Sequence, residues 1–199
     1  MAIALVCVSS LVRAQEDYSR VGCYLGLAGT VAFLRSVEDS LERTTGLSAD
    51  VDESLGIHAR AGCRGMWGGA EVHFERLEGF DAKLDGIDIG QADGWALTLD
   101  VKLYPLAGLE GRLPALARRF QPFATVGAGY LTLDAFDGES DFAGRFGGGL
   151  DVYVTRNIVI NVDATYVLPA SDSLCGKFPS CKGDDLAYLS VGWGLLYRF

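Results

Sequence analysis

Period-two alternation of apolar and polar residues recurs about eight times along this chain, in segments near the ten residues a tilted strand needs to cross a bilayer. The segments run roughly over 20–34, 55–65, 69–78, 94–104, 120–133, 142–154, 158–168 and 186–199. In the fourth, Trp95, Leu97, Leu99, Val101 and Leu103 alternate with Ala96, Thr98, Asp100, Lys102 and Tyr104. The seventh sets Ile158, Ile160, Val162, Ala164, Tyr166 and Leu168 against Val159, Asn161, Asp163, Thr165 and Val167. A soluble sandwich also alternates, so the pattern alone leaves the solvent open. Charges at mid-strand on the second face are more discriminating, because a small soluble barrel fills its interior with apolar side chains or a ligand. The pattern predicts an all-β fold: an eight-stranded antiparallel up-and-down transmembrane β-barrel. The 26 Gly against 5 Pro suit a Gly-rich sheet protein, and no later run reaches the roughly 18 apolar residues of a membrane helix.

The first residues are apolar and end in Val12-Arg13-Ala14, with small residues where a signal peptidase requires them. Residues 1–14 are expected to be a signal peptide with a truncated basic region, and 15–199 the barrel domain; a buried first strand is the alternative. Cys23, Cys63, Cys175 and Cys181 form an even set, as expected of an exported chain in which disulfides persist. Cys175 and Cys181 bracket a short loop and are expected to be bonded. Cys23 and Cys63 share the lipid-facing parity of neighbouring strands, and whether they bond depends on a register that sequence does not fix.

Short connections at Met66–Gly69 and Thr155–Asn157 alternate with long ones at 37–54, 82–93, 134–141 and 169–184, as they should if one rim faces the periplasm. The 107–118 connection is long on the rim where short turns are expected. For the second hairpin, a two-residue turn at Trp67 and Gly68 predicts Arg64 facing Glu71, Gly62 facing His73 and Arg60 facing Glu75.

With Gly22 to Gly26 and Gly29 in the first strand, Gln121 to Tyr130 in the fifth and Gly192 to Phe199 at the end, the chain resembles the outer-membrane protein A-type barrels, the porin-like or outer-membrane β-barrel domain proteins. The resemblance implies a place in the cell outer membrane among lipid and lipopolysaccharide. It also implies that Trp193, Tyr197 and Phe199 are a signal read by the outer-membrane assembly machinery. Nothing follows Phe199 that resembles the peptidoglycan-binding domain of two-domain members, so tethering to the cell wall is not implied.

The polar face carries Arg60, Arg64, Lys102, Arg145 and Arg198 against Glu71, Glu75, Asp100, Asp151 and Asp163. Ionisable groups in a membrane domain are costly unless paired or hydrated, so this balanced set is expected to fill the lumen as a salt-bridge network. A narrow low-conductance channel for ions or small solutes is the alternative, and a lipid-modifying enzyme a weaker one. The histidines, His58 and His73, have no hydroxyl nucleophile beside them, so no catalytic residue, no cofactor and no metal site is expected. The net charge of −9 and the absence of a basic cluster exclude nucleic acid as a partner. A monomer is expected, with acid-rich outer loops facing water, divalent cations or basic partners. Deleting Phe199 is expected to lower insertion into the outer membrane while export to the periplasm continues; equal membrane levels for both chains, measured by fractionation, would disprove the terminal signal.

Overall fold

Every alternating segment becomes a strand in the computed structural model, which describes residues 21–33, 49–51, 53–84, 87–114, 116–133, 140–170 and 187–199. The strands are β1 Gly22–Phe33, β2 Ala49–Val51, β3 Ser54–Arg64, β4 Gly68–Leu84, β5 Ile87–Leu103, β6 Phe120–Leu133, β7 Ser140–Tyr153, β8 Ile158–Pro169 and β9 Tyr188–Arg198. Apart from β2, each pairs antiparallel with two neighbours, and the β1–β9 and β4–β5 ladders close the sheet into an eight-stranded barrel. Closure leaves no unpaired edge, the one arrangement in which strands satisfy their backbone groups inside lipid. Among the described residues no helix is long and apolar enough to cross a membrane.

Because side chains alternate across a strand, closure sorts them into two environments. On β5, Leu99 is 62% exposed while its neighbour Asp100 is fully buried. The same division puts Leu25, Leu27, Ile57, Val126, Trp193 and Leu195 on the outside and Arg60, Glu71, Lys102, Arg145 and Asp163 on the inside. This polarity is the reverse of a soluble protein's.

Two expectations about connections need correction. Most of the expected 82–93 loop is strand: β4 runs to Leu84, β5 begins at Ile87, and the two pair up to these residues. The alternation breaks phase after Leu77 and resumes over 80–84, and the register shifts after Leu77 and Ala82 let the ladder bend as it continues. Within the expected 37–54 loop, β2 adds to this hairpin by pairing Ala49 with Leu84.

The β3–β4 register also differs by two residues from the expected one. Arg64 faces Gly69, Gly62 faces Glu71, Arg60 faces His73 and His58 faces Glu75. The turn is centred on Met66 and Trp67, closed by the Gly65 N–H donating to the Gly68 carbonyl at 2.7 Å. A shift of two keeps every side chain on its face, so the interior set is unchanged while its partners change.

The 107–118 connection folds back beneath its rim in two 3₁₀ turns, Ala107–Arg112 and Ala117–Arg119. The Tyr104 N–H donates to the Trp67 carbonyl at 2.9 Å, and Tyr104, Ala107 and Phe123 form a buried cluster. Gly108 lies against the Trp67 ring, where an added Cβ would come within 2.0 Å of Cη2. Gly108→Ala is therefore expected to displace Trp67 and cost about 1–3 kcal/mol. Trp67→Ala in the same chain should remove most of that penalty; a urea midpoint unchanged by Gly108→Ala would show that the connection does not pack there.

Candidate functional site: the barrel lumen

All ten expected lumen ions lie inside the barrel, and each is at most 7% exposed. Their contacts reach across the bore as well as along the wall. Arg60 on β3 donates to Asp163 and to Asn161 on β8, both at 2.8 Å, although three strand boundaries separate the two along the sheet. Arg145 on β7 pairs with Asp100 on β5, reaches Asp163 at 3.5 Å and donates to Thr165 at 3.2 Å. Lys102 meets Glu71 at 2.8 Å, and the same carboxylate oxygen accepts from Tyr24 at 2.7 Å.

Near the rim that carries Phe199, Arg64 donates to Tyr153 and Gln121, and its guanidinium lies over the Tyr104 ring at 3.6 Å. Asp151 accepts from Tyr104 at 3.0 Å and from Asn161 at 2.6 Å. Arg198 lies over the Tyr153 ring at 5.9 Å. Toward the opposite rim, Glu75 accepts from Thr30 at 3.2 Å, Tyr188 at 3.0 Å and Ser190.

The expected Arg60–Glu75 contact is thus replaced by Arg60–Asp163 and by a set of hydroxyls around Glu75. Sequence pairing considered adjacent strands only, whereas a long guanidinium in a narrow bore reaches beyond its neighbours. The contributions of Tyr24, Tyr104, Tyr153, Tyr188, Gln121, Asn161, Thr30 and Ser190 also went unanticipated. Their inward parity was the available signal, but aromatic and neutral polar residues do not announce themselves as ion partners. Room for Arg60 comes from Gly26 on β1, directly across the ladder; a Cβ there would lie 3.0 Å from Arg60 Cγ and 2.2 Å from Leu196.

Cys23 and Cys63, left undecided by the sequence, are register partners of β1 and β3 and form a disulfide, with Cα atoms 3.9 Å apart. Cys175 and Cys181, like the expected 1–14 signal segment, lie outside the described residues.

The family defined by the outer membrane protein β-barrel domain matches residues 1–199. The chain belongs to that family. Among solved structures it is similar to Neisserial surface protein A, with 10% identity and a TM-score of 0.59, covering 89% of this chain and 97% of that one. It is also similar to the outer membrane protein OprG from Pseudomonas aeruginosa, with 14% identity and a TM-score of 0.55, covering 92% and 99%. No curated protein sequence matches it.

As an outer-membrane β-barrel, the protein meets lipid with its apolar outer face. Trp193, Tyr197 and Phe199 all point outward there, and Phe199 is 67% exposed. With lipid outside, the ions within depend on one another. Asp163→Ala leaves Arg60 without its carboxylate and Arg145 with one fewer, and is expected to destabilise the barrel by about 3–5 kcal/mol. Exchanging Arg60 and Asp163 together for apolar residues should cost much less than the sum of the single changes. Additive urea midpoints in a double-mutant cycle would show that the two are not coupled.

Proposed function

We propose that this outer-membrane barrel has a structural or surface-interaction role, with its lumen plugged by the salt-bridge network. The observation that carries this reading is the set of contacts crossing the bore: Arg60 to Asp163, Arg64 to Gln121, Tyr24 to Glu71 and Glu75 to Ser190. Each joins strands that are not neighbours. A cavity of about 10 Å³ lies inside the barrel, bordered by Tyr24, Arg64, Tyr104, Tyr153, Leu196 and Arg198. Such a space holds about one water at most. An ion crossing the barrel would have to break successive charge-assisted bonds in a low-dielectric interior.

The same contacts argue against the low-conductance channel. A lipid-modifying enzyme fits less well still: His58 and His73 are each 1% exposed and enclosed by the lumen wall, out of reach of lipid. Partners are then met at the surface, namely outer-membrane lipid and lipopolysaccharide around a monomeric barrel, and the assembly machinery during insertion. The likeness to a protein described as a Neisserial surface protein is consistent with work done at the outer rim.

In planar bilayers the unmodified protein is expected to give no resolved single-channel steps, whereas Asp163→Ala, if it folds, should give a leak as the Arg60 level opens. Clear steps from the unmodified barrel, together with stability effects near zero for lumen substitutions, would replace the plug with the channel.

A further inference from the structure

Five buried polar atoms without hydrogen-bond partners gather on the inner face of β4 and β5: Glu71 Oε1, both ring nitrogens of His73, Thr98 Oγ1 and Asp100 Oδ1. The register brings their residues together, because Glu71 faces Asp100 and His73 faces Thr98, making a two-by-two block one step long on each strand. None of the four is more than 2% exposed. Buried polar groups are nearly always satisfied, so a cluster of this kind calls for an occupant.

The donor set says which kind. One ligand atom each from Glu71, His73 and Asp100 lies within 4.8 Å of the others, and His73 Nδ1 stands 4.0 Å from Glu71 Oε1. That separation is too long for a hydrogen bond, and small side-chain rotations would bring both atoms onto one ion at about 2.0–2.2 Å from each. The carboxylates are held from behind: Glu71 Oε2 by Tyr24 and Lys102, and Asp100 Oδ2 by Arg145. Outer contacts of this kind fix the orientation of metal ligands; Glu71 keeps Oε1 to bind, and the Asp100 carboxylate, whose Oδ1 lies in the space left by Gly127, presents an oxygen to the ion by a rotation of its own. Lys102 and Arg145 also oppose a dication, which makes the expected affinity moderate.

His58 and Glu75 approach His73 as closely, but they make a poorer set. Arg60 donates to His58 Nε2 at 2.7 Å, and a guanidinium has no acceptor. The neutral His58 ring therefore carries its proton on Nδ1 and has no lone pair left for a metal. Glu75, for its part, is already occupied by three hydroxyls.

We propose that Glu71, His73 and Asp100 form a binding site inside the barrel for a divalent first-row transition metal that accepts mixed nitrogen and oxygen ligands, of the Zn²⁺ or Mn²⁺ class, with the Thr98 hydroxyl or water completing the shell. The assignment is independent of whether the lumen conducts, since it concerns the side wall of the barrel rather than a path along it.

The test uses the whole barrel, refolded in detergent with Co²⁺ as a spectroscopic probe and with Zn²⁺, and checked for folding by heat-modifiable electrophoretic mobility. The folded protein should retain one Co²⁺ per chain after gel filtration and show visible ligand-field absorption that Zn²⁺ abolishes. His73→Gln and Asp100→Asn should each weaken binding by more than the roughly 10- to 100-fold that losing an outer partner costs, whereas His58→Gln should leave it intact. Should the ligand variants fail to fold, the unmodified protein labelled with ¹⁵N at histidine still decides: Zn²⁺ must shift the ring signals of one histidine far more than those of the other. A folded barrel that retains no metal and shows no such shift overturns the site and leaves the five atoms to water. Binding lost in His58→Gln but kept in Asp100→Asn overturns the ligand set.

Discussion

Ion pairing inside a closed barrel is the interaction on which the rest of this structure depends. Lipid takes the apolar residues on the outside, so hydrophobic burial does not collapse the interior as it would in a soluble domain. Among the described residues, the interior must instead accommodate five buried cations and six buried carboxylates, Asp141 included. Removing Asp163 leaves Arg60 as a buried positive charge without its carboxylate, and that cost couples strands three boundaries apart. Arg60 and Asp163 illustrate it: β3 and β8 share no backbone hydrogen bond, yet their side chains meet at 2.8 Å.

Small residues make this charged interior possible. Gly26 gives Arg60 room to leave its own strand and cross the lumen, and Gly127 leaves space occupied by the Asp100 carboxylate, whose Oδ1 lies 1.9 Å from where a Cβ would be. The Gly-rich composition is thus a packing requirement of long polar side chains in a narrow tube as much as a property of the sheet. Tyrosines then supply what the ions cannot: Tyr24, Tyr104 and Tyr188 each place a hydroxyl on a carboxylate while their rings fill volume.

The architecture was legible because lipid outside and charge inside impose a strict two-residue period, which a reader can follow from Trp95 to Leu103 without a structure. Which residues lie inside was legible for the same reason. Their partners were not. The β3–β4 register turned on whether the turn was centred at Met66 or one residue later, and either choice preserves the alternation. Contacts such as Arg60 with Asp163 depend on where the ends of β3 and β8 come to lie around the barrel, a consequence of closure that no pair of adjacent strands reveals. The continuation of β4 and β5 left a trace that the break in phase after Leu77 obscured: Phe80, Ala82 and Leu84 alternate with Asp81 and Lys83, and Ile87 and Ile89 with Asp88.

That continuation changes what the barrel presents beyond the membrane. Seventeen residues in each of β4 and β5 amount to about 56 Å of strand at 3.3 Å per residue, more than a tilted crossing of an apolar band about 25 Å tall consumes. The surplus stands above the membrane as a paired ribbon, further widened by β2. An endoprotease, which must draw its target into an extended and unpaired form, finds a poor substrate there. An antibody raised against a free peptide from the same stretch would meet an unpaired coil during selection and a paired two-stranded surface on the folded protein, so the antigen that matters is the folded hairpin.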